Sequence, residues 1–481
     1  MITFFLSIIA LLLGYFIYSR IIEKIFGIDR NRPTPAYALQ DGMDYVPMGW
    51  GKIFLIQFLN IAGLGPIFGA VAGAMWGSSA FFWIVFGCIF GGAVHDFMSG
   101  MISVRLNGLS IPEIIGKYLG TGMKQFTRGF TVILMVLVGA VFIMGPASIL
   151  AGITSNHPGL TFWALVVFVY YMMATMLPID KLIGRIYPIF GFALLFMALG
   201  ITIGLLTEGY KIPELSWLNL QNMHSQPGKF PIFPMMFISI ACGAISGFHS
   251  TQSPMMARCI KNERFGRRVF YGAMVTEGIV ALIWAAAAMA FFGGVRELND
   301  VMNSHQGNAA WAVNEISYSL LGKLGGILAL LGVVAAPITS GDTAFRSARL
   351  IVADFLKIGQ KKILNRLKIS LPLFAAGFLL TQLDFSIIWR YFAWSNQTLA
   401  AIVFWTITVY LAKENKFYWV TLLPAVFMTT VTITYICVAP EGLQLSIHIG
   451  YIIGIVVALS IAILFLVYAH RNNTIHARQF V

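Results

Sequence analysis

The sequence is short of charge: only 11% of its 481 residues are Asp, Glu, Lys or Arg, whereas 58% are hydrophobic. Soluble domains contain about 25% charged residues, because charged side chains favour contact with water. A chain this apolar would expose more hydrophobic surface than a soluble fold tolerates. The composition therefore excludes an ordinary soluble protein and indicates an integral membrane protein.

Cysteines are also few. The four that occur, Cys88, Cys242, Cys259 and Cys437, lie far apart in the sequence, and no CxxC spacing is present. That pattern argues against a disulfide framework and against a structural zinc site. We therefore expect no transition metal; sodium is the only metal ion that we expect to bind.

Acidic residues are scarce relative to basic ones, 19 against 32, and the net charge is +13. A positive charge of this size can indicate a nucleic-acid partner, but here the basic residues form short clusters between apolar runs. That distribution is typical of membrane orientation rather than of a DNA-binding face. We expect the lipid bilayer and a small solute as partners, and no nucleic acid; the sequence leaves the oligomeric state open.

Long apolar runs dominate the chain. A helix needs about 20 apolar residues to cross a bilayer and must satisfy its own backbone groups there, so these runs predict an all-α integral membrane protein with about thirteen spans. The first run is interpreted as an uncleaved span, because its basic residues follow it rather than precede it. The spans are predicted near residues 2–22, 52–75, 80–104, 128–152, 160–179, 185–207, 232–255, 268–293, 319–341, 368–383, 387–411, 416–438 and 446–469.

Lys and Arg residues test this topology independently, since they accumulate in cytoplasmic loops. With the N-terminus outside and the C-terminus in the cytoplasm, 27 of the 32 basic residues fall in inner segments. The five on the outer side are Lys211, Lys229, Arg296, Lys323 and Arg390. A wrong number of spans would destroy this alternation, so the charge distribution supports an odd number of spans.

Helix breakers interrupt two of the predicted spans near their centres. The second span contains Gly63, Gly65 and Pro66, and the seventh contains Gly247 and Pro254. A kink or close helix packing would explain either feature alone. However, the two interrupted spans each begin a block of five spans. Because each block has an odd number of spans, the second block has the opposite orientation in the membrane. Paired interruptions of this kind indicate a transporter binding site. The predicted units are 1–51 (an extra helix and a cytoplasmic loop), 52–207 and 232–411 (the two five-helix repeats) and 412–481 (two C-terminal helices).

Several motifs resemble one known family. The loop after the first span contains Gly27-Ile-Asp29-Arg-Asn-Arg32-Pro33 and Asp41-Gly-Met-Asp44-Tyr45, and later spans contain Gly91-Gly-Ala-Val-His95-Asp96, Ala241-Cys-Gly-Ala-Ile-Ser246-Gly-Phe-His249-Ser250 and Asn396-Gln397-Thr-Leu-Ala400. This combination is similar to the carbon starvation protein A (CstA) family. The resemblance implies a bacterial inner-membrane uptake transporter for pyruvate or peptides, with a LeuT-like fold.

A narrower resemblance concerns the coupling ion. Asn60-x-x-Gly63-Leu-Gly65 is similar to the unwound first core helix of sodium-coupled LeuT-like carriers. Those carriers complete a sodium site with a carbonyl and two hydroxyl groups at spacing i, i+3, i+4 on the eighth core helix. The resemblance implies that sodium would bind the carbonyls of Leu59, Ala62 and Ala336 and the hydroxyls of Thr339 and Ser340. The alternative is that both hydroxyls bond back to their own helix.

The two breaks are also the candidate substrate site. An unwound stretch frees backbone N–H groups in the membrane, and the N-terminus of a half-helix favours an anion. His249 can hydrogen-bond a carboxylate or change its charge near neutral pH. Neither break contains an acidic residue to hold the ammonium group of a peptide, which favours a small monocarboxylate. The candidate residues are Asn60, Gly63, Gly65, Gly69, Ser246, Gly247, His249, Ser250, Thr251 and Gln252.

Ionisable residues within the predicted spans are candidates for proton handling, namely His95, Asp96, Glu277 and Asp342. A charge in the hydrocarbon core costs at least about 2.5–3.5 kcal/mol, so such residues face a bundle interior or a transport pathway. Structural ion pairs are the alternative: Asp342 with Arg346 one turn further on, and Asp96 with Arg105 or Lys117.

The resemblance and the paired breaks together favour a secondary-active transporter that imports a small carboxylate such as pyruvate by alternating access, coupled to sodium or protons. Uptake of oligopeptides is the alternative. The sequence contains no GxxxxGK[ST] motif for ATP coupling and no HExxH, GxSxG or paired-aspartate motif for an intramembrane enzyme. Two inverted halves with broken helices also argue against an ion channel.

The charge asymmetry predicts the sidedness of the loops. Residues 23–51 and 342–367 should be cytoplasmic, and residues 294–318 should lie outside. Single cysteines placed in 294–318 should react first with a membrane-impermeant maleimide added to intact cells. Faster labelling of 342–367 would contradict the topology.

Overall fold

The computed structural model describes residues 1–42, 44–154, 157–176, 183–216, 220–360 and 362–478. Within these ranges the chain is helical and has no strand beyond one isolated bridge between Met48 and Ile260. The main helices are α1 (Ile2–Phe26), α2 (Trp50–Ile61), α3 (Gly65–Trp76), α4 (Ser79–Arg105), α5 (Ile111–Leu119), α6 (Thr121–Ile153), α7 (Leu160–Met176), α8 (Ile183–Thr207), α9 (Gly247–Ala257), α10 (Glu263–Phe291), α11 (Val295–Ser304), α12 (Ala309–Leu356), α13 (Ile363–Leu380), α14 (Phe385–Lys413), α15 (Trp419–Val438) and α16 (Ile447–Arg478).

Helices occur at every predicted span. In the described ranges, nine are long and apolar enough to cross a membrane, and the bent pair α2–α3 makes a tenth. The remaining three positions are occupied by α7, which has 17 residues, by the long helix α14, and by the interrupted segment that ends in α9. The all-α membrane fold is therefore confirmed, whereas the count of thirteen spans and the bounds of the repeats stay predictions.

Both predicted breaks are present. Helices α2 and α3 meet at 57°, and Ala62 between them leaves the helical region at φ −78° and ψ 56°. In the second interrupted span, a short helical turn ends at Ser239, and α9 begins only at Gly247. The helices are thus interrupted around Gly63 and just before Gly247, whereas Pro254 lies inside α9 and does not interrupt it.

The two breaks are in direct contact. A Cβ atom built on Gly65 would lie 2.3 Å from Cβ of Cys242, and one on Gly69 would lie 2.7 Å from the carbonyl oxygen of Ser239. Only glycine allows the backbones to approach this closely. The first break therefore packs against the second, as expected for a site that both breaks form.

Contacts between loops agree with the predicted alternation of sides. The backbone N–H of Thr3 donates to Glu214 at 2.8 Å, which joins the predicted outer end of the first span to a loop predicted outside. Glu263 accepts hydrogen bonds from the backbone N–H of Asp29 at 2.8 Å and from Arg105 at 3.1 Å, and all three were predicted inside. Which of the two faces is cytoplasmic stays a prediction.

Prolines in α6 and α12 lie where these two helices pack together. Pro146 has no N–H, so the carbonyl of Phe142 one turn earlier loses its helical partner. The hydroxyl of Tyr171 on α7 lies 2.7 Å from that carbonyl and 3.0 Å from the carbonyl of Pro337 on α12. One buried phenol therefore joins both proline-containing helices.

Helix α12 differs most from its predicted span. It runs from Ala309 to Leu356, with a bend at Gly322, where φ is +65°. The apolar pattern ends near residue 341, because Asp342, Arg346 and other polar residues follow it. These side chains are nevertheless buried in the protein, so the helix continues beyond the apolar run.

Helix α4 approaches the second break so closely that adding one methyl group at the contact should lower the stability of the protein. A Cβ atom on Gly92 would lie 2.2 Å from the carbonyl oxygen of Ala244, although its backbone is helical. Gly92→Ala should therefore destabilise the protein by about 1–3 kcal/mol, measured as thermal unfolding in detergent. Gly129→Ala is the matched control, since its Cβ would meet nothing within 4 Å. Equal unfolding temperatures for the two variants would refute the close approach.

Candidate functional site

Ionisable side chains from three helices meet at the start of α9. Nδ1 of His249 lies 2.8 Å from Oδ2 of Asp96 on α4, and its Nε2 lies 3.4 Å from Oε2 of Glu277 on α10. The other oxygen of Asp96 contacts Nδ1 of His95 at 2.8 Å. All four side chains have no exposed surface. Two of the four predicted proton-handling residues, Asp96 and Glu277, therefore contact His249, and a third, His95, joins the group through Asp96.

Some polar atoms of this group have no hydrogen-bond partner in the described part of the chain. They are Nε2 of His249, both carboxylate oxygens of Glu277 and Nε2 of His95. The 3.4 Å contact between His249 and Glu277 is close enough for an ion pair but lacks hydrogen-bond geometry. Buried polar atoms normally find partners, so these positions are suited to gaining or losing a proton.

Cys242 lies at the same point. Its Sγ atom, a ring nitrogen of His249 and a carboxylate oxygen of Glu277 lie within 4.8 Å of one another. The spacing of the cysteines predicted no such group, because Glu277 comes from α10, whereas Cys242 and His249 belong to the second interrupted span. A thiol, an imidazole and a carboxylate thus form one buried cluster at the second break.

The acidic partners of the second break come from other helices, and the expected ion pair of Asp96 with a loop cation is wrong. The second break does have acidic partners, since Asp96 and Glu277 reach it from α4 and α10. Asp96 also pairs with neither Arg105 nor Lys117 in the described structure: Arg105 contacts Glu263 and the carbonyl of Gly27. A residue within a break can thus acquire charged partners that its own segment does not contain.

Most donors of the second break are already bonded. The backbone N–H of Phe248 donates to Oδ1 of Asn396 at 2.6 Å, and the Ser246 hydroxyl donates to the same oxygen at 3.1 Å. The hydroxyls of Ser250 and Thr251 donate to carbonyls three residues earlier, both at 2.6 Å. We expected the N-terminus of this half-helix to present free N–H groups to a carboxylate. That expectation is wrong at Phe248, because its N–H already donates to the side-chain amide of Asn396.

Asn396 and Gln397 on α14 hold the break in place. Gln397 donates to the carbonyl of Ile245 at 2.8 Å, next to the bonds that Asn396 accepts. A Cβ atom on Gly247 would lie 2.3 Å from the carbonyl oxygen of Asn396 and 2.4 Å from the backbone nitrogen of Ala400. This close crossing explains the Asn396-Gln397-Thr-Leu-Ala400 motif. Asn396 and Gln397 were not among the predicted site residues, and the motif was the sequence signal that could have identified them.

The first break offers unused amides instead. Gln57 and Asn60 lie one turn apart on α2, both are fully buried, and none of their four side-chain polar atoms has a partner in the described ranges. Oε1 of Gln252 on α9 is also unpaired there. Asn60 and Gln252 were predicted site residues, whereas Gln57 was missed, although a glutamine in an apolar run is itself a signal.

The predicted sodium ligands mostly lie together. The Ser340 hydroxyl donates to the carbonyl of Leu59 at 2.9 Å and to that of Ala336 at 3.0 Å, and the Thr339 hydroxyl donates to Ala336 at 2.7 Å. Ala62 lies in the non-helical link of the first break. A Cβ atom on Gly63 would lie 3.3 Å from Oγ of Ser340. Both hydroxyls thus donate to a carbonyl of their own helix, which was the alternative to sodium binding. Ser340 also donates to Leu59 on α2.

Asp342 lies apart from the other ionisable candidates. Its Oδ1 accepts from the hydroxyl of Thr175 at 3.3 Å, and it is fully buried. Arg346, one turn further on, donates to the carbonyl of Ala174 at 2.9 Å. Asp342 therefore faces α7 through Thr175, whereas the other candidates belong to the group around Asp96 and His249.

Access to the breaks differs between the two sides. A cavity of about 570 Å³ opens beside residues 305–310 and extends to Phe68, Gly145 and Trp389. On the opposite side, the cavity that reaches Thr251 has a volume of about 20 Å³, enough for about one water molecule. The candidate site is thus buried between a vestibule and a nearly closed face.

The sequence model of one protein family, described as "Carbon starvation protein CstA", matches residues 1–157, 153–324 and 322–435. A peptide transporter CstA from Campylobacter jejuni is 26% identical to the chain, covering 88% of this chain and 78% of that protein. A pyruvate/proton symporter BtsT from Escherichia coli is 28% identical, over 59% of this chain and 48% of that protein.

A solved structure of the inward-facing conformation of Mhp1 is similar in fold. Its TM-score is 0.50, with 14% sequence identity, and the match covers 88% of this chain and 93% of that one. At this identity the likeness concerns the fold alone. It confirms the LeuT-like architecture of two inverted five-helix repeats that the sequence predicted.

The role of Asn396 can be tested through stability. Asn396→Leu keeps the size of the side chain but leaves the N–H of Phe248 and the hydroxyl of Ser246 without their acceptor. The loss should destabilise the protein by about 1–3 kcal/mol, measured by thermal unfolding. Thr398→Val is the control, because that hydroxyl only bonds back to Trp394 in the same helix. An Asn396→Leu variant as stable as the control would exclude a positioning role.

Proposed function

The chain belongs to the carbon starvation protein CstA family and is a membrane transporter, and we propose that it imports a small carboxylate such as pyruvate across the bacterial inner membrane by proton-coupled alternating access. The contacts of His249 with Asp96 and Glu277 at the second break are the observation that carries this proposal. Uptake of short peptides is the alternative. The CstA and BtsT relatives are named as transporters, so we infer that the chain moves its solute without chemical change.

The buried group at His249 is suited to coupling with protons. Two carboxylates and two imidazoles share a volume from which water is excluded, and a net charge is costly there. Gain or loss of one proton changes that net charge, and imidazole does so near neutral pH when unperturbed. His249, Asp96 and Glu277 lie on three different helices, so protonation alters the attraction that holds the helices together.

The unpaired amides at the first break are proposed to hold the solute. The NH₂ groups of Gln57 and Asn60 are hydrogen-bond donors that suit carboxylate oxygens, and the backbone leaves the helix at Ala62 beside them. Their position next to the second break places a bound anion close to the proton site. Uptake of a negative solute together with a proton would reduce the charge that has to cross the membrane.

The choice between pyruvate and peptides cannot rest on missing acidic residues, since Asp96 and Glu277 reach the break and could accept an ammonium group. A small solute is favoured because every predicted substrate residue is buried among packed helices. The pyruvate/proton symporter among the relatives also favours pyruvate over peptides. The peptide transporters among them support the alternative.

Sodium is the second candidate for the coupling ion. The Ser340 hydroxyl lies 2.9 Å from the Leu59 carbonyl, which brings the proposed ligands of two helices together. Its hydrogen is already donated to two carbonyls, whereas Nε2 of His249 and both carboxylate oxygens of Glu277 have no hydrogen-bond partner in the described ranges. Protons therefore rank first.

Coupling can be separated from solute binding by two transport assays on one variant. Glu277→Gln in sodium-free proteoliposomes should reduce proton-driven uptake of labelled pyruvate by about tenfold or more, as expected when an interaction of about 1.4 kcal/mol is lost. Exchange of labelled for unlabelled pyruvate at equal pH should persist, because it needs no net proton movement. A dipeptide is assayed in parallel to decide the substrate class.

Glu297→Gln on α11 is the control, since that carboxylate is exposed and far from the breaks in sequence. Unchanged proton-driven uptake by Glu277→Gln would remove the proton site from the proposal. If sodium alone drives wild-type uptake and Thr339→Val loses that response, coupling belongs to the sodium ligands instead.

A further inference from the structure

A strongly basic pocket lies where α1 ends and α10 begins. It has a volume of about 550 Å³ and is lined by Glu23, Ile28, Arg30, Trp50, Arg264, Phe265, Arg267 and Arg268. Four guanidinium groups therefore face a single carboxylate. The proposed transport mechanism uses none of these residues.

Three of the arginines have no acidic partner in the described ranges. Arg267 contacts Glu23 at 3.4 Å and donates to the hydroxyl of Ser19 at 3.3 Å. For Arg30, Arg264 and Arg268, no carboxylate of the described residues lies within ion-pair distance. The pocket thus keeps an excess of positive charge that favours an anionic ligand.

Aromatic rings orient two of these guanidinium groups. That of Arg268 lies 4.9 Å from the ring centre of Trp50, and that of Arg264 lies 4.7 Å from the ring centre of Phe265. Stacking leaves the N–H groups at the edge of a guanidinium free, and this fork fits phosphate oxygens in pairs. The arrangement therefore favours a phosphate group over a smaller inorganic anion such as chloride.

The surface beside the pocket is apolar. Phe16, Ile17 and Ile21 on α1 are 53%, 58% and 49% exposed, and Trp50 is 42% exposed. Isoleucine and phenylalanine at this level of exposure on a membrane helix face lipid tails, while Trp is enriched at the level of the headgroups. A ligand in this pocket would therefore have its phosphate among the arginines and hydrocarbon chains along α1.

We propose that the pocket binds the headgroup of an anionic phospholipid from the leaflet on this side, and that the lipid fastens α1 to α10. The charge rule places that leaflet on the cytoplasmic side, where anionic headgroups attract basic clusters. Phosphatidylcholine has no net charge and should bind more weakly. Free phosphate lacks the chains that contact α1.

The test compares ligands on the intact purified chain. Native mass spectrometry from delipidated detergent solution should show more retained phosphatidylglycerol than phosphatidylcholine. The double variant Arg264→Gln/Arg268→Gln should retain less phosphatidylglycerol by about fivefold or more. Arg296→Gln on α11, at the opposite end of the membrane, should bind like the wild type. Phosphatidylglycerol should also raise the thermal unfolding temperature of the wild type, and inorganic phosphate should not.

Equal retention of phosphatidylglycerol by the double variant and the wild type would overturn the proposal. An equal shift of the unfolding temperature with inorganic phosphate would assign the pocket to a soluble anion instead. If the double variant does not fold, Arg268→Lys keeps the charge and loses the fork, and it should retain less phosphatidylglycerol than the wild type. None of these outcomes depends on the transported solute or on its coupling ion.

Discussion

A helix that is interrupted inside an apolar bundle leaves backbone groups that only other parts of the protein can satisfy. Asn396 and Gln397 do so at the second break, through the N–H of Phe248 and the carbonyl of Ile245. These two amides from α14 fix the start of α9, and the position of His249 follows from it. The rest of the site depends on this support.

Close packing also brings ionisable side chains to the second break. Glycines such as Gly65 and Gly92 let the first break and α4 approach the second break to distances that a methyl group would prevent. Asp96 on α4 and Glu277 on α10 consequently reach His249. A movement of α9 relative to either helix would change these contacts, so the protonation of the group and the conformation of the break are thermodynamically linked.

Much of this architecture could be predicted from the sequence. Apolar runs locate the helices, and the Gly and Pro residues near positions 63 and 247 locate both breaks, because these signals are local. The partners of Asp96 were not predictable in the same way, since no local rule brings a residue of α4 to His249 on α9. Helix α12 was predicted too short because buried polar residues such as Asp342 end the apolar pattern without ending the helix.

The central claim is that proton movement at His249, Asp96 and Glu277 drives solute uptake. The most direct measurement records internal pH in sodium-free proteoliposomes while an inward gradient of pyruvate is applied at equal starting pH. The account predicts internal acidification that follows pyruvate entry in the wild type and is absent in the Glu277→Gln variant. Pyruvate entry without any change of internal pH, or with a requirement for sodium, would contradict it.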